Sequence, residues 1–204
     1  MLTHHLMNKL FLAIVLSIFS QSILIGQHSG VDARWIRENV VDNPVDASWL
    51  KNNLKEDAPR LFLNEKTEQQ IEKDIENDPL VEHYFRLLQS NADAICEKPV
   101  LKREKTGRRL LGVSRKAVRR IGTLALVYRI NGNDRYLMRL EMKLNAVSSF
   151  TDWNPSHFLD VAEMSYAVAL GLDWCGEWLS QTTVKHAQSA LIEKALKVSL
   201  NGES

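Results

Sequence analysis

From Thr67 to Leu200 apolar residues return every three or four positions, and nowhere in that span do they alternate. A period near 3.6 buries one stripe of each helix and leaves the backbone hydrogen bonds inside the element, so this part of the chain is restricted to helix packed on helix. Leu80, Tyr84, Leu87, Leu88 and Ile95 fall on one side of a helix opened by Asp78-Pro79, a cap followed by proline at the first helical position. Val118, Ile121, Leu124, Ala125 and Tyr128 form a second stripe, in a helix that Ser114 is expected to cap. Gly132 closes that helix in a left-handed conformation, and Asn133 or Asp134 opens the next. A helix after the segment FTDWNPSHF and a last one from about Thr182 to Leu200 complete the series. Between residues 97 and 113, EKPVLKREKTGRRLLGV breaks the period at Pro99 and Gly107 and reads as a hairpin-like excursion. The fold class is all-α, built from antiparallel helix pairs. Such pairs close as a bundle, a solenoid or an α/α toroid, and the lack of a repeating signature weighs against a regular solenoid.

The N-terminal third follows other rules. Residues 1–26 pair a lone Lys9 with an apolar run and then small and polar residues, the order of a secretory signal peptide, with Met7 a second possible start. Cleavage after Ser22 or after Gly26 fits equally, and Ser17, Ser20, Gln21 and Ser22 interrupt the run, against a permanent membrane span. The expected location is therefore the periplasm or the exterior. Residues 27–63 are turn-rich, with Pro44 and Pro59 among Asp and Asn, and Trp35, Trp49, Leu61 and Phe62 are expected to anchor them. Residues 64–204 form the helical domain. The formal net charge is +1, so any attraction to a polyanion has to be local, and nucleic acid is disfavoured as a partner. Cys96 and Cys175 are the only cysteines. Export makes a bridge between them chemically possible, while their place on apolar faces suits free thiols. No Cys-x-x-Cys or His-x-x-x-His spacing occurs, so neither a metal centre nor a cofactor is expected.

Two groups of residues stand out. At the entrance of the helix after Phe150 lie Trp153, Asn154, His157 and Asp160. Asn154 or Ser156 suits a helix cap, Asp160 suits the positive end of a helix dipole and is placed to bond His157, and Phe158, Leu159, Ala162, Tyr166, Ala169 and Leu170 make the expected buried side. Trp153 beside an amide fits either a sugar-binding edge or a tryptophan that pins a loop. The second group is basic. Lys102, Arg103, Lys105, Arg108, Arg109, Arg115, Lys116, Arg119 and Arg120 are opposed in that stretch by Glu104 alone. Arg115 and Arg119, like Lys116 and Arg120, are one helical turn apart and form a face suited to carboxylate, sulfate or phosphate, or to plain solvation.

The Ser-Arg pair at Ser114-Arg115, the segment YRINGNDRY and above all DWNPSHFLDVAEM followed by GLDW resemble the N-terminal α/α-toroid region of the heparinase II/III-like polysaccharide lyases, over most of residues 58–180. The resemblance implies an incomplete toroid, followed in complete relatives by β-sheet domains with an acidic polysaccharide in the groove between. It implies cleavage of uronic-acid-containing chains by β-elimination, with substrate contacts at Trp153, Asn154, His157, Asp160, Arg115 and Arg119. It transfers no catalytic residue, because the family's Asn, His, Glu and Tyr groups fall beyond Ser204 in its pattern. The four tyrosines here, Tyr84, Tyr128, Tyr136 and Tyr166, sit where helix packing accounts for them. The chain is accordingly expected to be a truncated product or a fragment, with an apolar flank left open on its last helices. The alternative expectation is a non-catalytic helical module that binds acidic glycans.

Overall fold

Most helix starts follow from a side chain that accepts an otherwise unsatisfied N–H. The computed structural model describes residues 46–55 and 57–200. The expected leader at residues 1–26 and the anchor Trp35 lie outside them. Asp46 caps a short helix α1 (Ala47–Asn53), on which Trp49 and Leu50 are exposed. Residues 55–204 make up a separate unit. In it Asn64 caps α2 (Glu65–Asn77), two residues earlier than the expected start, and Asp78 caps α3 (Pro79–Cys96) with Pro79 in the first turn. The hairpin-like excursion is real but small: Gly107 takes φ 60° in a turn closed by paired bonds between Thr106 and Arg109. After it come α4 (Leu111–Asn131), ended by left-handed Gly132, and α5 (Asp134–Ser148), capped by Asn133. Then follow α6 (Phe158–Cys175) and α7 (Gln181–Leu191), the latter capped by Ser180. A π-helical turn, Ile192–Leu196, joins α7 to the final turn α8 (Lys197–Leu200). Among the described residues there is no strand, and no helix is long and apolar enough to cross a membrane.

The centre of the unit is the contact of α4 with α6, flanked by α5. Ile121, Leu124 and Ala125 of α4 are fully buried, as are Val161, Met164, Ala167 and Val168 of α6 and Leu140, Leu144 and Val147 of α5. Each large aliphatic side chain taken from water contributes about 1.5–3 kcal/mol, which makes this trio of helices the main source of stability. Close approach depends on Gly171. A Cβ there would stand 2.9 Å from Ile121 Cγ2 and 3.0 Å from Leu144 Cδ2. Arg129 adds a polar tie from α4 to α2: it pairs with Glu68 and lies 5.0 Å from the centroid of the Trp178 ring. Cys96 and Cys175 are buried free thiols, and burial pushes the Cys175 thiol up to about 12.

Two of the expected faces are partly out of phase. On α3, Leu80, Tyr84 and Leu87 of the expected stripe are exposed, while Leu88 packs against the core and Ile95 is buried as expected, together with Ala92 and Cys96. On α6, Phe158, Leu159, Ala162 and Tyr166 are exposed and Leu170 is buried as expected. The buried line runs through Asp160, Val161, Met164, Ala167, Val168, Leu170, Gly171, Trp174 and Cys175. That helix is apolar nearly all round, so the choice of face falls to its small residues, which let α4 approach. The exposed side of α6, with Leu191, Ala195 and Leu196, lines an apolar groove of about 350 Å³. The segment before α2 also docks differently from expectation. Phe62 is 74% exposed, with φ 64° and an edge-on contact to Tyr166, and Leu61 is only partly covered. The attachment is polar instead. Arg60 N–H and Leu61 N–H both donate to Asp173 Oδ2 at 2.7 Å, and Trp174 Nε1 donates to Leu61 O at 2.8 Å.

Candidate functional site

The chain reversal between α5 and α6 brings Asp152 and Asp160 against the basic excursion before α4, and Glu163 against the start of α4 itself. Arg103 donates through Nη2 to Asp152 Oδ1 at 2.5 Å and through Nε to Asp152 O at 3.2 Å. Asp160 is fully buried and accepts from Leu110 N–H at 2.7 Å, Asn154 Nδ2 at 2.7 Å and Arg109 Nη2 at 3.4 Å. Glu163 accepts from Ser114 Oγ at 2.6 Å and Arg115 Nε at 3.4 Å. Burial opposes ionisation of Asp160, but the Asn154 amide, the Leu110 N–H and Arg109 outweigh it and hold the carboxyl below its ordinary 3.8. Burial likewise opposes ionisation of Asp152, where Arg103 and the Asn154 N–H prevail.

Asn154 is the joint of this network. Its φ is 64°, a left-handed conformation that asparagine tolerates better than most residues. From there Nδ2 donates to Asp160 and, at 2.9 Å, to Arg108 O, while Oδ1 accepts from Lys105 Nζ at 3.3 Å. Trp153, next to it, is 0% exposed, and its Nε1–H donates to Val147 O at 3.0 Å, tying the loop to the end of α5. Of the two readings of Trp153, the buried pin is therefore the one the structure supports; a ring with no open face cannot stack on a sugar. Asn154 and Asp160 are equally inaccessible. Both act on the surface only through the basic residues they position.

The His157 ring does not bond the Asp160 carboxylate; the two residues meet only through the backbone, Asp160 N–H donating to His157 O at 2.8 Å. His157 Nδ1 lies 2.5 Å from Ser156 O, and the residue occupies the N-cap of α6 without a side-chain capping bond. Neither Asn154 nor Ser156 caps that helix. Ser114 is not a cap either: α4 starts at Leu111, and Ser114 is buried inside its first turn, bonded to Leu111 O and to Glu163. The carboxylate beside the start of α4 is Asp160, reaching Leu110 N–H from 50 residues further along the chain.

The remaining basic residues divide into two sets. Lys105, Arg108 and Arg115 are exposed residues around the entrance of α6. Lys105 has its ammonium on Asn154 Oδ1, Arg108 is held through its carbonyl, and Arg115 has 65% of its side chain open. His157, at the N-cap of α6, is partly exposed. Arg119 points elsewhere. It is exposed and lines a cavity of about 340 Å³ between α3 and α4, so the structure does not bring it to Arg115's acid partner. Beside that cavity lie three side chains that residue order alone does not draw together: Arg120, Arg139 and the 1% exposed Lys143, all donating to the carbonyls of Lys98 and Pro99. Burial lowers the Lys143 ammonium to about 8, and the charges of Arg139 and Arg120 act in the same direction. A lysine inside the apolar period of α5 was the available signal. Among the described residues no group of His, Cys, Asp and Glu is arranged to hold a metal ion. No protein-family model matches this chain, and no curated protein does.

Proposed function

We propose that the chain is the helical, polyanion-gripping part of a secreted polysaccharide lyase of the heparinase II/III type, the family that its DWNPSHFLDVAEM segment resembles. Such an enzyme cleaves uronic-acid-containing polysaccharides by β-elimination. The reaction needs the uronate carboxylate neutralised, so that the adjacent C–H becomes acidic, then a base for that proton and an acid for the leaving oxygen. Cations on a rigid frame suit the first requirement, since their positions are fixed before the sugar arrives. The observation that carries the reading is the buried network of Trp153, Asn154 and Asp160. It spends the motif's polar residues on fixing a basic loop, and leaves Lys105, Arg108 and Arg115 exposed at one helix entrance. In this reading the signal-like residues 1–26 direct the protein to the periplasm or beyond.

The test is a titration of the whole chain with alginate and with heparin at low and moderate salt, neutral dextran serving as control. Binding of a polyanion that weakens with salt and falls at least about tenfold in the Arg108→Ala, Arg115→Ala double variant agrees with the proposal. Equal retention of dextran, or a double variant that binds as the parent does, overturns it. The same samples distinguish the alternative of a non-catalytic glycan module. Release of ultraviolet-absorbing unsaturated oligosaccharides by this chain alone would place the bond-breaking groups within it.

A further inference from the structure

The end of α3 carries positive charge that the described residues do not balance. Lys143 Nζ donates to Lys98 O at 2.6 Å and Pro99 O at 3.2 Å, Arg139 Nη2 to Lys98 O at 2.6 Å, and Arg120 Nη1 to Pro99 O at 3.0 Å. Three cations thus share two neutral carbonyls. The Nε atoms of Arg120 and Arg139 are buried without a partner. The nearby acids are engaged by another residue: Arg135 donates to Asp93 at 2.9 Å and to Glu97 at 2.7 Å. Carbonyl dipoles solvate a cation but do not neutralise it, so positive potential remains at this end of the helix.

That potential borders an open cavity. The space of about 340 Å³ between α3 and α4 has Leu88 and Ile95 on its apolar side, with Asn91, Thr123, Lys98 and Arg119 as its polar lining. Lys98 belongs to both features, lining the cavity while its carbonyl receives Arg139 and Lys143. Neither the Arg119 guanidinium nor the Lys98 ammonium has a carboxylate partner within the described residues. We propose that this cavity is an oxyanion-binding site for a carboxylate or sulfate group, with Arg119 and Lys98 as its charged contacts and the Arg120–Arg139–Lys143 cluster as the source of its standing positive field. A guanidinium offers two parallel N–H groups to two oxygens; the Thr123 hydroxyl and the second N–H of Asn91, whose first goes to Leu87 O at 3.0 Å, add neutral donors beside it. The site is distinct from the α6 entrance and does not depend on the lyase reading.

The experiment is an amide-resolved NMR titration of the full chain at low ionic strength with sodium sulfate, sodium glucuronate and, as control, sodium chloride. Saturable shifts at the amides of Asn91, Lys98, Arg119 and Thr123 are expected with an oxyanion and not with chloride. Arg119→Glu should weaken that binding at least about tenfold while leaving the melting temperature close to that of the parent, because the side chain is exposed. Lys98→Ala tests the second contact and retains the carbonyl that Arg139 and Lys143 use. Tighter binding of glucuronate identifies a sugar-borne acid as the ligand, and binding of sulfate alone identifies a free oxyanion. Shifts that do not saturate, that chloride reproduces, or that persist unchanged in Arg119→Glu overturn the site.

Discussion

The entrance of α6 and the end of α3 both gather cations, the first from the basic stretch alone and the second from Arg120 together with Arg139 and Lys143 of α5, yet they use them in opposite ways. At the entrance each acid has its own arginine: Asp152 with Arg103, Asp160 with Arg109, Glu163 with Arg115. At the end of α3, Arg120, Arg139 and Lys143 meet carbonyl oxygens, with Met142 Sδ as a further neutral partner of Arg139, and no carboxylate among the described residues. The first arrangement balances charge internally and locks a loop; the second leaves a net field directed at whatever approaches. A charge count along the sequence treats both alike. The contrast shows that the placement of acids, rather than the number of bases, decides which basic residues are free to act outside the molecule.

The largest effect that could break this comparison belongs to Asp160. Replacing it by alanine leaves the buried Leu110 N–H without an acceptor, Asn154 Nδ2 with Arg108 O alone, and the partly exposed Arg109 without its carboxylate. The expected loss is about 3–5 kcal/mol, read from the midpoint of urea unfolding. A loss under about 1 kcal/mol would mean that the network is ornament rather than frame. The pH dependence carries the same information. A carboxyl whose folded value lies below its ordinary 3.8 contributes stability that is complete above 3.8 and is lost as pH falls through the lower folded value. Asp160→Asn should therefore flatten the acid side of the stability profile below pH 3.8 and leave the neutral region's slope unchanged.

Next in size is Lys143. Because burial lowers its ammonium from 10.5 to about 8, the unfolded chain binds the proton more tightly between those values. Stability should then rise as pH goes from about 8 towards 10.5, the reverse of what an ordinary ion pair would produce. Lys143→Met should remove that rise and raise stability at neutral pH by about 1 kcal/mol, since Arg139 and Arg120 still serve the two carbonyls. A large loss of stability in Lys143→Met would show instead that the ammonium is an indispensable clasp, and the contrast between the two regions would narrow.

Local signals were readable in the residue order, and long-range ones were not. Asp78-Pro79 and Gly132-Asn133 each act within one turn of backbone, and each marks a helix boundary where expected. The all-helical class follows from the period, which is also local. The start of α4 is different. Ser114 looks like a cap because serine suits that position at the start of an apolar stripe, but Asp160 supplies the carboxylate at that end from another helix, and Ser114 is free to pack against Glu163. The faces of α3 and α6 were partly misjudged in phase for a related reason: where both sides of a helix are apolar, the neighbour's shape selects the buried one, as Gly171 does against Ile121. At the site, Trp153, Asn154 and Asp160 were found as a group from their crowding in the sequence. Their burial was not legible, because it depends on Arg103 to Leu110 folding over them. The Lys143 cluster gave only one hint, a lysine out of place in an apolar stripe.

The smallest expected effect on stability falls on Arg115, and it sharpens the comparison most. Its bond to Glu163 is 3.4 Å long and its side chain is largely in water, so Arg115→Ala should cost less than about 1 kcal/mol. Ser114 Oγ remains on Glu163 at 2.6 Å, which keeps the carboxylate in place after the guanidinium is gone. If Arg115 serves only the internal balance, the variant loses that small increment and nothing else. If its exposed end also meets a polyanion, as the glycan reading requires, binding falls severalfold with the melting temperature almost unchanged, and the remaining affinity depends less on salt because one cation fewer takes part. A variant that melts as the parent does and binds as the parent does would assign Arg115 to the balanced region alone. The exposed cations at the α6 entrance would then reduce to Lys105 and Arg108, on either side of the Gly107 turn.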